Sequence, residues 1–312
     1  MSGVARAVEL RNLPAPAKLN LFLHVTGRRA DGYHLLETVF ELVDLFDRID
    51  LRLRDDGEIR MTDAAGDWNA DDDLTVRAAR LLATHTGCTH GVEISLRKRI
   101  PVGGGLGGGS SDAATVLLGL NRLWRLGLSP ERLQALALRL GADVPAFVFG
   151  RRAYAGGVGE ELVAIDPSPS WYVIVAPPVQ VPTALVFGSG ELTRNTKPLK
   201  IVGSSRGRSV YRGKNDLEPV VLATWPAVAD ALQALRGAAD AAGAEGRLAR
   251  MTGSGGCVFC PVADEPVAAS IRQRLERRDT DTRIGQVFIV RSLDRHPLRD
   301  GSFRSMSQAT GE

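Results

Sequence analysis

The clearest alternation of apolar and polar positions is Lys18-Leu19-Asn20-Leu21-Phe22-Leu23-His24-Val25. Leu19, Leu21, Leu23 and Val25 share one face of an extended chain, and Lys18, Asn20, Phe22 and His24 share the other. Lys18 and Asn20 then point the same way, about 7 Å apart along the strand. Their face is either the solvated side of an edge strand or a polar pair aimed into a cleft. Residues 35–53, 92–96, 171–176 and 285–290 also read as strands, and 55–73 as an acidic, turn-rich loop. Helical spacing begins after Asp72-Asp73, either of which suits an N-cap, and at Ser129-Pro130-Glu131, whose helix packs Leu133, Leu136, Ala137 and Leu140 before Gly141. Residues 113–120, 232–242 and 264–278 predict further helices, the last with Asp264 as N-cap. No internal repeat is present. The mixture predicts an α/β (α+β) chain with a first domain over 1–160, a second over 161–292 and a flexible tail over 293–312.

One stretch departs from these patterns. Pro101-Val102-Gly103-Gly104-Gly105-Leu106-Gly107-Gly108-Gly109-Ser110-Ser111-Asp112 lies between the strand at 92–96 and the apolar helix at 113–120. Strand, glycine loop and helix form an arrangement that binds phosphate: glycines let backbone N–H groups approach an anion, and the helix N-terminus adds its positive end. Ser110 and Ser111 are placed to cap that helix or to contact a phosphate oxygen or its Mg²⁺. The loop has no Lys, which excludes G-x-x-x-x-G-K-[ST]. Gly103, Gly105 and Gly108 satisfy G-x-G-x-x-G, but so many glycines match that pattern almost by default.

Composition narrows the function classes. The chain has 312 residues, enough for one large or two ordinary domains, and a net charge of +3, too small to argue for nucleic acid. Aromatics are 5%, which leaves no base-stacking surface to point to. No apolar run of the length a membrane span needs is found, nor a signal-peptide core near the first residue. Three cysteines make no disulfide framework, so a reducing, cytoplasmic location is expected. Cys257 and Cys260 have C-x-x-C spacing without a second pair, and their apolar neighbours place them in a strand core. Residues 194–214 hold seven basic side chains and no acid, read as a mobile, solvated loop beside an anionic-substrate cleft.

The glycine stretch resembles the phosphate loop of the GHMP kinases, P-x-x-x-G-L-G-S-S-A-A, through Pro101, Gly105-Leu106-Gly107 and Ser110-Ser111. The G-G-G-L-G-G-G-S-S form is most similar to the branch that acts on 4-diphosphocytidyl-2-C-methyl-D-erythritol. Other segments follow in order. Pro16-Ala17-Lys18-Leu19-Asn20-Leu21 resembles the opening P-x-K-x-N-L, which favours the cleft reading of Lys18 and Asn20. Arg29-Ala30-Asp31-Gly32-Tyr33-His34 is similar to a branch segment whose aromatic ring stacks on cytosine and whose His hydrogen-bonds the base edge. Leu140-Gly141-Ala142-Asp143-Val144-Pro145 resembles the catalytic segment, where Pro145 also predicts an extended Val144. Pro182-Thr183-Ala184-Leu185-Val186-Phe187 matches a segment lining the substrate pocket, and Gly253-Ser254-Gly255 with Phe259 the third motif. Lys98 matches a position near the adenosine. Asp73-Leu74 departs from the usual Asn-Leu there, and a carboxylate cannot donate to adenine as an amide does.

The resemblance implies two domains with the active site in the cleft between them, ATP and Mg²⁺ as cofactors, and a cytidine diphosphate alcohol as substrate. It implies phosphorylation of that alcohol's 2-hydroxyl in the non-mevalonate isoprenoid route, with no nucleic-acid or membrane partner. It assigns Asp143 and Lys18 to catalysis, residues 101–111 and Lys98 to ATP, and Asn20, Tyr33, His34, Thr183 and Phe187 to substrate. Ser111 is a candidate Mg²⁺ ligand. The competing readings are a family kinase acting on mevalonate or homoserine, a non-catalytic nucleotide-binding protein, and, more distantly, a dinucleotide oxidoreductase.

Overall fold

The computed structural model describes residues 8–62, 72–166, 170–199, 213–278 and 284–299. The first domain is built on two long antiparallel strands, β1 (Glu9–Arg28) and β2 (His34–Arg54). β1 takes one edge of β2 for nearly its whole length. The other edge of β2 is shared by β4 (Gly91–Arg97) at residues 48–54 and by β5 (Ala153–Gly156) at residues 38–40. β3 (Ile59–Met61) runs parallel to β4, and β6 (Glu161–Ala164) pairs with β5. The sheet division therefore falls after Ala164, a few residues beyond the expected boundary. β1 is an edge strand, yet its polar face is not solvated: Lys18, Asn20 and His24 are all buried. Register shifts between Pro16 and Ala17 and between Asn20 and Leu23 break its simple alternation.

Four helices cover this sheet: α1 (Leu74–Thr86), α2 (Gly108–Leu123), α3 (Pro130–Leu138) and α4 (Val144–Phe149). α2 is the central one, and its apolar face (Val116, Leu117, Leu120) joins Leu13, Ile49 and Ile94 of the strands and Leu82 of α1 in one core. Asp73 caps α1 through Thr75 N at 2.7 Å, and Ser129 caps α3. Val144 is not extended. It opens α4 with Pro145 in the first turn, where the missing N–H removes no intrahelical bond.

The second domain carries a four-stranded antiparallel sheet in the order β10 (Gln286–Arg291), β7 (Trp171–Ala176), β9 (Val258–Val262), β8 (Arg250–Met251). Helices α5 (Thr183–Gly188), α6 (Glu218–Thr224), α7 (Pro226–Ala241) and α8 (Glu265–Arg278) accompany it. Leu232, Leu235, Ile271 and Leu275 pack with Val173, Val175 and Val258. A third cluster, with Leu19, Leu21 and Phe22 of β1 and Tyr172, Ile174 and Phe259 of the second sheet, joins the domains. Backbone bonds reinforce it: Leu23 N donates to Lys214 O (2.9 Å) and Asp216 N to Leu23 O (2.8 Å).

The expected tail does not begin at 293. Leu293 and Leu298 pack on the first core, His296 is fully buried, and His296 N donates to Gly150 O at 2.7 Å. The loop residues 63–71, most of the basic segment (200–212) and the end of the expected tail (300–312) lie outside the described residues. Cys257 and Cys260 are buried in the second domain as expected, with burial pushing both thiols up to about 12. Among the described residues no cluster of three or more metal-ligating side chains occurs, and no helix is long and apolar enough to cross a membrane.

Candidate active site

A cleft of about 1050 Å³ runs between the domains, roomy enough for a nucleotide and a second ligand together. Every site residue expected from the sequence lines it except Ser111. The glycine loop forms its floor. α2 begins inside that loop, with Gly107 (φ 73°) as N-cap and no side chain capping it. The first-turn N–H groups of Gly108, Gly109 and Ser110 have no intrahelical acceptor by geometry, and none is recorded among the described residues. The serines thus sit within the first turn rather than at the cap. Ser110 lines the cleft, whereas Ser111 is buried and its Oγ has no hydrogen-bond partner among the described residues.

The glycines also serve a contact invisible in the local pattern. The loop packs backbone to backbone against the third motif. A Cβ at Gly105 (φ +74°) would stand 2.2 Å from Thr252 O, and one at Gly253 (φ +57°) 2.7 Å from Gly105 O. Thr252 Oγ1 in turn accepts from Asn20 N (2.9 Å), and Asn215 Nδ2 donates to Met251 O (3.0 Å) and Gly253 O (2.8 Å). β1, the phosphate loop and the third motif are locked into one assembly by these contacts.

Lys18 stands where the three meet. Its Nζ donates to Gly105 O (2.9 Å) and to Asn20 Oδ1, lies 3.5 Å from Asp143 Oδ2, and sits 5.6 Å from the centre of the Phe40 ring. Asn20 is itself oriented by Nδ2 donating to Thr38 Oγ1 at 2.9 Å. Asn20 therefore spends both ends of its amide on protein partners, which makes it a holder of Lys18. Asp143 directly precedes α4 without capping it, and its side chain is 38% exposed, turned to the cleft.

At one end of the cleft, Lys98 Nζ lies between Asp47 Oδ2 (2.5 Å) and Asp112 Oδ2 (2.6 Å). It is a partnered ammonium beneath Gly108. Burial pushes Asp112 up to about 7 against the opposing pull of Lys98, with Asp47 adding to the rise. Asp73, the departure from the family pattern, spends its carboxylate on Thr75 N and Oγ1.

At the other end, His34 and Phe187 stack at 5.0 Å between ring centres, tilted by 36°. Tyr33 stands 63% exposed on the turn beside them, its N–H bonded to Asp31 Oδ1 (3.1 Å). Thr183 Oγ1 shares a 2.7 Å hydrogen bond with Ser254 Oγ, joining α5 to the third motif. Arg194 reaches the His34–Phe187 pair as well, half-buried and making four hydrogen bonds, unlike the solvated basic segment it belongs to. Thr38, Asn215, Thr252 and Arg194 were not picked out individually as site residues by the sequence pattern. Arg194 is masked within a basic run, and a hydroxyl such as Thr38 carries no signal of its own.

Comparison with known proteins gives the family and the fold. Residues 73–151 match the GHMP kinases N terminal domain and residues 200–280 the GHMP kinases C terminal. A 4-diphosphocytidyl-2-C-methyl-D-erythritol kinase of Thiobacillus denitrificans is 57% identical over 287 residues, covering 92% of this chain and 97% of its own. One of Aromatoleum aromaticum is 51% identical over 296 residues, covering 95% and 98%. A crystal structure of 4-(cytidine 5'-diphospho)-2C-methyl-D-erythritol kinase superposes with a TM-score of 0.68 at 36% identity, covering 89% of this chain and 98% of that one. A homoserine kinase of Cytophaga hutchinsonii, at 19% identity and a TM-score of 0.71 over 95% and 98% of the chains, shares the fold. Two family models matched in sequence order, and relatives more than half identical along almost their entire length, show that the chain belongs to the GHMP kinase family.

Proposed function

We propose that this protein transfers the γ-phosphoryl group of ATP to the 2-hydroxyl of 4-diphosphocytidyl-2-C-methyl-D-erythritol, giving the 2-phosphate, a step of the non-mevalonate isoprenoid route. The observation that carries the reading is the pair Lys18 and Asp143, 3.5 Å apart in the cleft wall and tied to the phosphate loop through Gly105. The same cleft holds the open N–H groups at the start of α2 and the His34–Phe187 pair. A triphosphate on the first and a cytosine base in the second bring the alcohol and the γ-phosphorus together at the pair.

Phosphoryl transfer is mainly positioning and charge neutralisation. The substrate oxygen forms a bond to the γ-phosphorus, the bond from that phosphorus to the β,γ-bridging oxygen breaks, and ADP leaves with the electron pair. Asp143 accepts or orients the hydroxyl proton. Lys18, held by Asn20 and Gly105, needs no rearrangement to stabilise the charge spread over the transferring group. Phe187 and the exposed Tyr33 ring supply faces for the base, and Lys98 with Leu74 lies on the nucleotide side of the loop.

ATP brings Mg²⁺ in kinases of this kind, and the donors present suit that ion. They are hard oxygens, namely the Asp143 carboxylate, the Ser110 hydroxyl, and Oδ1 of the cleft-lining Asp112, which is buried without a hydrogen-bond partner among the described residues. When bound, the ion neutralises phosphate charge. The deciding experiment is ADP release with MgATP and each of three alcohols: the diphosphocytidyl-methylerythritol, mevalonate and homoserine. Turnover with the first alone is expected. Turnover with either of the others instead would remove the base-pocket assignment of Tyr33, His34 and Phe187.

A further inference from the structure

The His34–Phe187 pair is held by Arg194, a residue that does not itself line the cleft. Arg194 donates from Nε to His34 Nε2 (3.0 Å), from one terminal nitrogen to Leu192 O (3.1 Å), and from the other to Phe187 O (3.0 Å) and Ser189 O (2.7 Å). A guanidinium has five N–H donors and no acceptor. The ring nitrogen facing it must therefore carry a lone pair, so His34 is neutral with its single proton on Nδ1. Burial, then the charges of Arg194 and Arg28, hold the imidazole below its ordinary pKa in the same sense. His34 Nδ1 has no hydrogen-bond partner among the described residues, and the ring lines the cleft against Phe187. The other arms of Arg194 end on carbonyls at and just beyond the C-terminal end of α5, the helix that carries Phe187.

We propose that Arg194 is a positioning residue for base recognition: it locks His34 as the Nδ1–H tautomer and fixes that ring against Phe187, so the pocket presents one N–H donor to a base edge that offers an acceptor. Cytosine has two adjacent acceptors, N3 and O2, whereas uracil carries a proton on N3. The inference rests on the substrate reading above for its consequence, but the tautomer is a property of the free protein.

The test begins with ¹⁵N-histidine NMR of the ligand-free full-length protein, with the His34 resonances assigned by their loss in His34→Asn. A pyrrole-type Nδ1 and a pyridine-type Nε2 are expected in wild type. Arg194→Met removes the donors and keeps an apolar stem. It should release His34 into a tautomer mixture and raise KM for the cytidine diphosphate alcohol roughly tenfold, the scale of one lost or misdirected hydrogen bond. KM for ATP should be unchanged. Arg194→Lys, which keeps one charged donor, should retain the Nδ1–H signature and recover part of the affinity. An Nε2–H or doubly protonated His34 in wild type would overturn the proposal, as would Arg194→Met with its tautomer and substrate KM unaltered. A fall in kcat and a rise in both KM values together, with the tautomer intact, would reduce Arg194 to a structural clamp and equally overturn it. If wild type shows the expected tautomer but no turnover of this alcohol, the substrate reading fails while the tautomer lock stands.

Discussion

At the scale of single residues, the two catalytic candidates differ in how much of the structure depends on them. Asp143 is partly exposed, caps nothing, and has Lys18 as its ion-pair partner at 3.5 Å. Asp143→Asn should leave thermal stability within about 0.5 kcal/mol of wild type while lowering kcat by roughly 10²- to 10⁴-fold, the usual range for a lost general base. Steady-state kinetics with calorimetry on the same preparation checks both. A kcat within a few-fold of wild type would reduce Asp143 to a bystander. Lys18 is different: its side chain is 4% exposed and satisfies both Asn20 and Gly105. Its replacement by Met strands a buried amide oxygen, so activity and about 1–3 kcal/mol of stability should be lost together.

At the scale of elements, the glycine loop separates two roles that one composition hides. Some glycines are there because another backbone occupies the space a Cβ would need. Gly105 is the extreme case, with φ +74° and Thr252 O at 2.2 Å from the built Cβ. Others, such as Gly109, lie on the helical turn with only Leu74 Cδ1 at 3.6 Å. Gly105→Ala should therefore cost about 2 kcal/mol or more, as a left-handed conformation and a steric overlap combine. Gly109→Ala should be neutral or stabilising by up to about 1 kcal/mol, since alanine is the better helix former, while raising KM for ATP by narrowing the phosphate approach. Urea unfolding of both variants, with ATP kinetics on Gly109→Ala, is the measurement. Equal destabilisation by the two substitutions would contradict this division.

At the scale of the whole molecule, a buried polar contact joins the two sheets. Glu41 of β2 accepts from Tyr172 Oη of β7 (3.1 Å) and lies 3.3 Å from Arg152 Nε. Burial raises its pKa from the ordinary 4.5 to about 7, outweighing the opposing pull of Arg152 and the Tyr172 bond. An acid with a raised folded pKa binds its proton more tightly folded than unfolded. Its contribution to stability is thus complete below about pH 4.5, is lost as pH climbs towards 7, and changes no further above. The difference in unfolding free energy between wild type and Glu41→Gln should move against wild type by on the order of 3 kcal/mol across that window. Taking the difference cancels the other titrating groups, including His24 and His34, whose depressed values act in the opposite sense. Denaturant titrations of both proteins at pH 4.5, 6 and 8 would detect it, and a pH-independent difference would argue against a proton held at Glu41.

Local pattern was enough to place the strand carrying Lys18 and Asn20, the helices capped by Asp73 and Ser129, the glycine loop that runs into α2, and the family to which these motifs belong. Period, caps and glycine runs are written in neighbouring residues, so short-range sequence carries them. Four matters were decided only by tertiary structure. The polar face of β1 is buried because the phosphate loop and the third motif close over it. The glycines at 105 and 253 answer to each other across 148 positions of chain (253 − 105) rather than to a ligand alone. Lys98 spends its charge on Asp47 and Asp112, so it is not a free surface cation. Arg194 leaves a basic run to bind four acceptors beneath the base pocket. Each depends on which distant groups a side chain or backbone meets once the domains close, and that information resides in the packing of the whole chain rather than in any window along it.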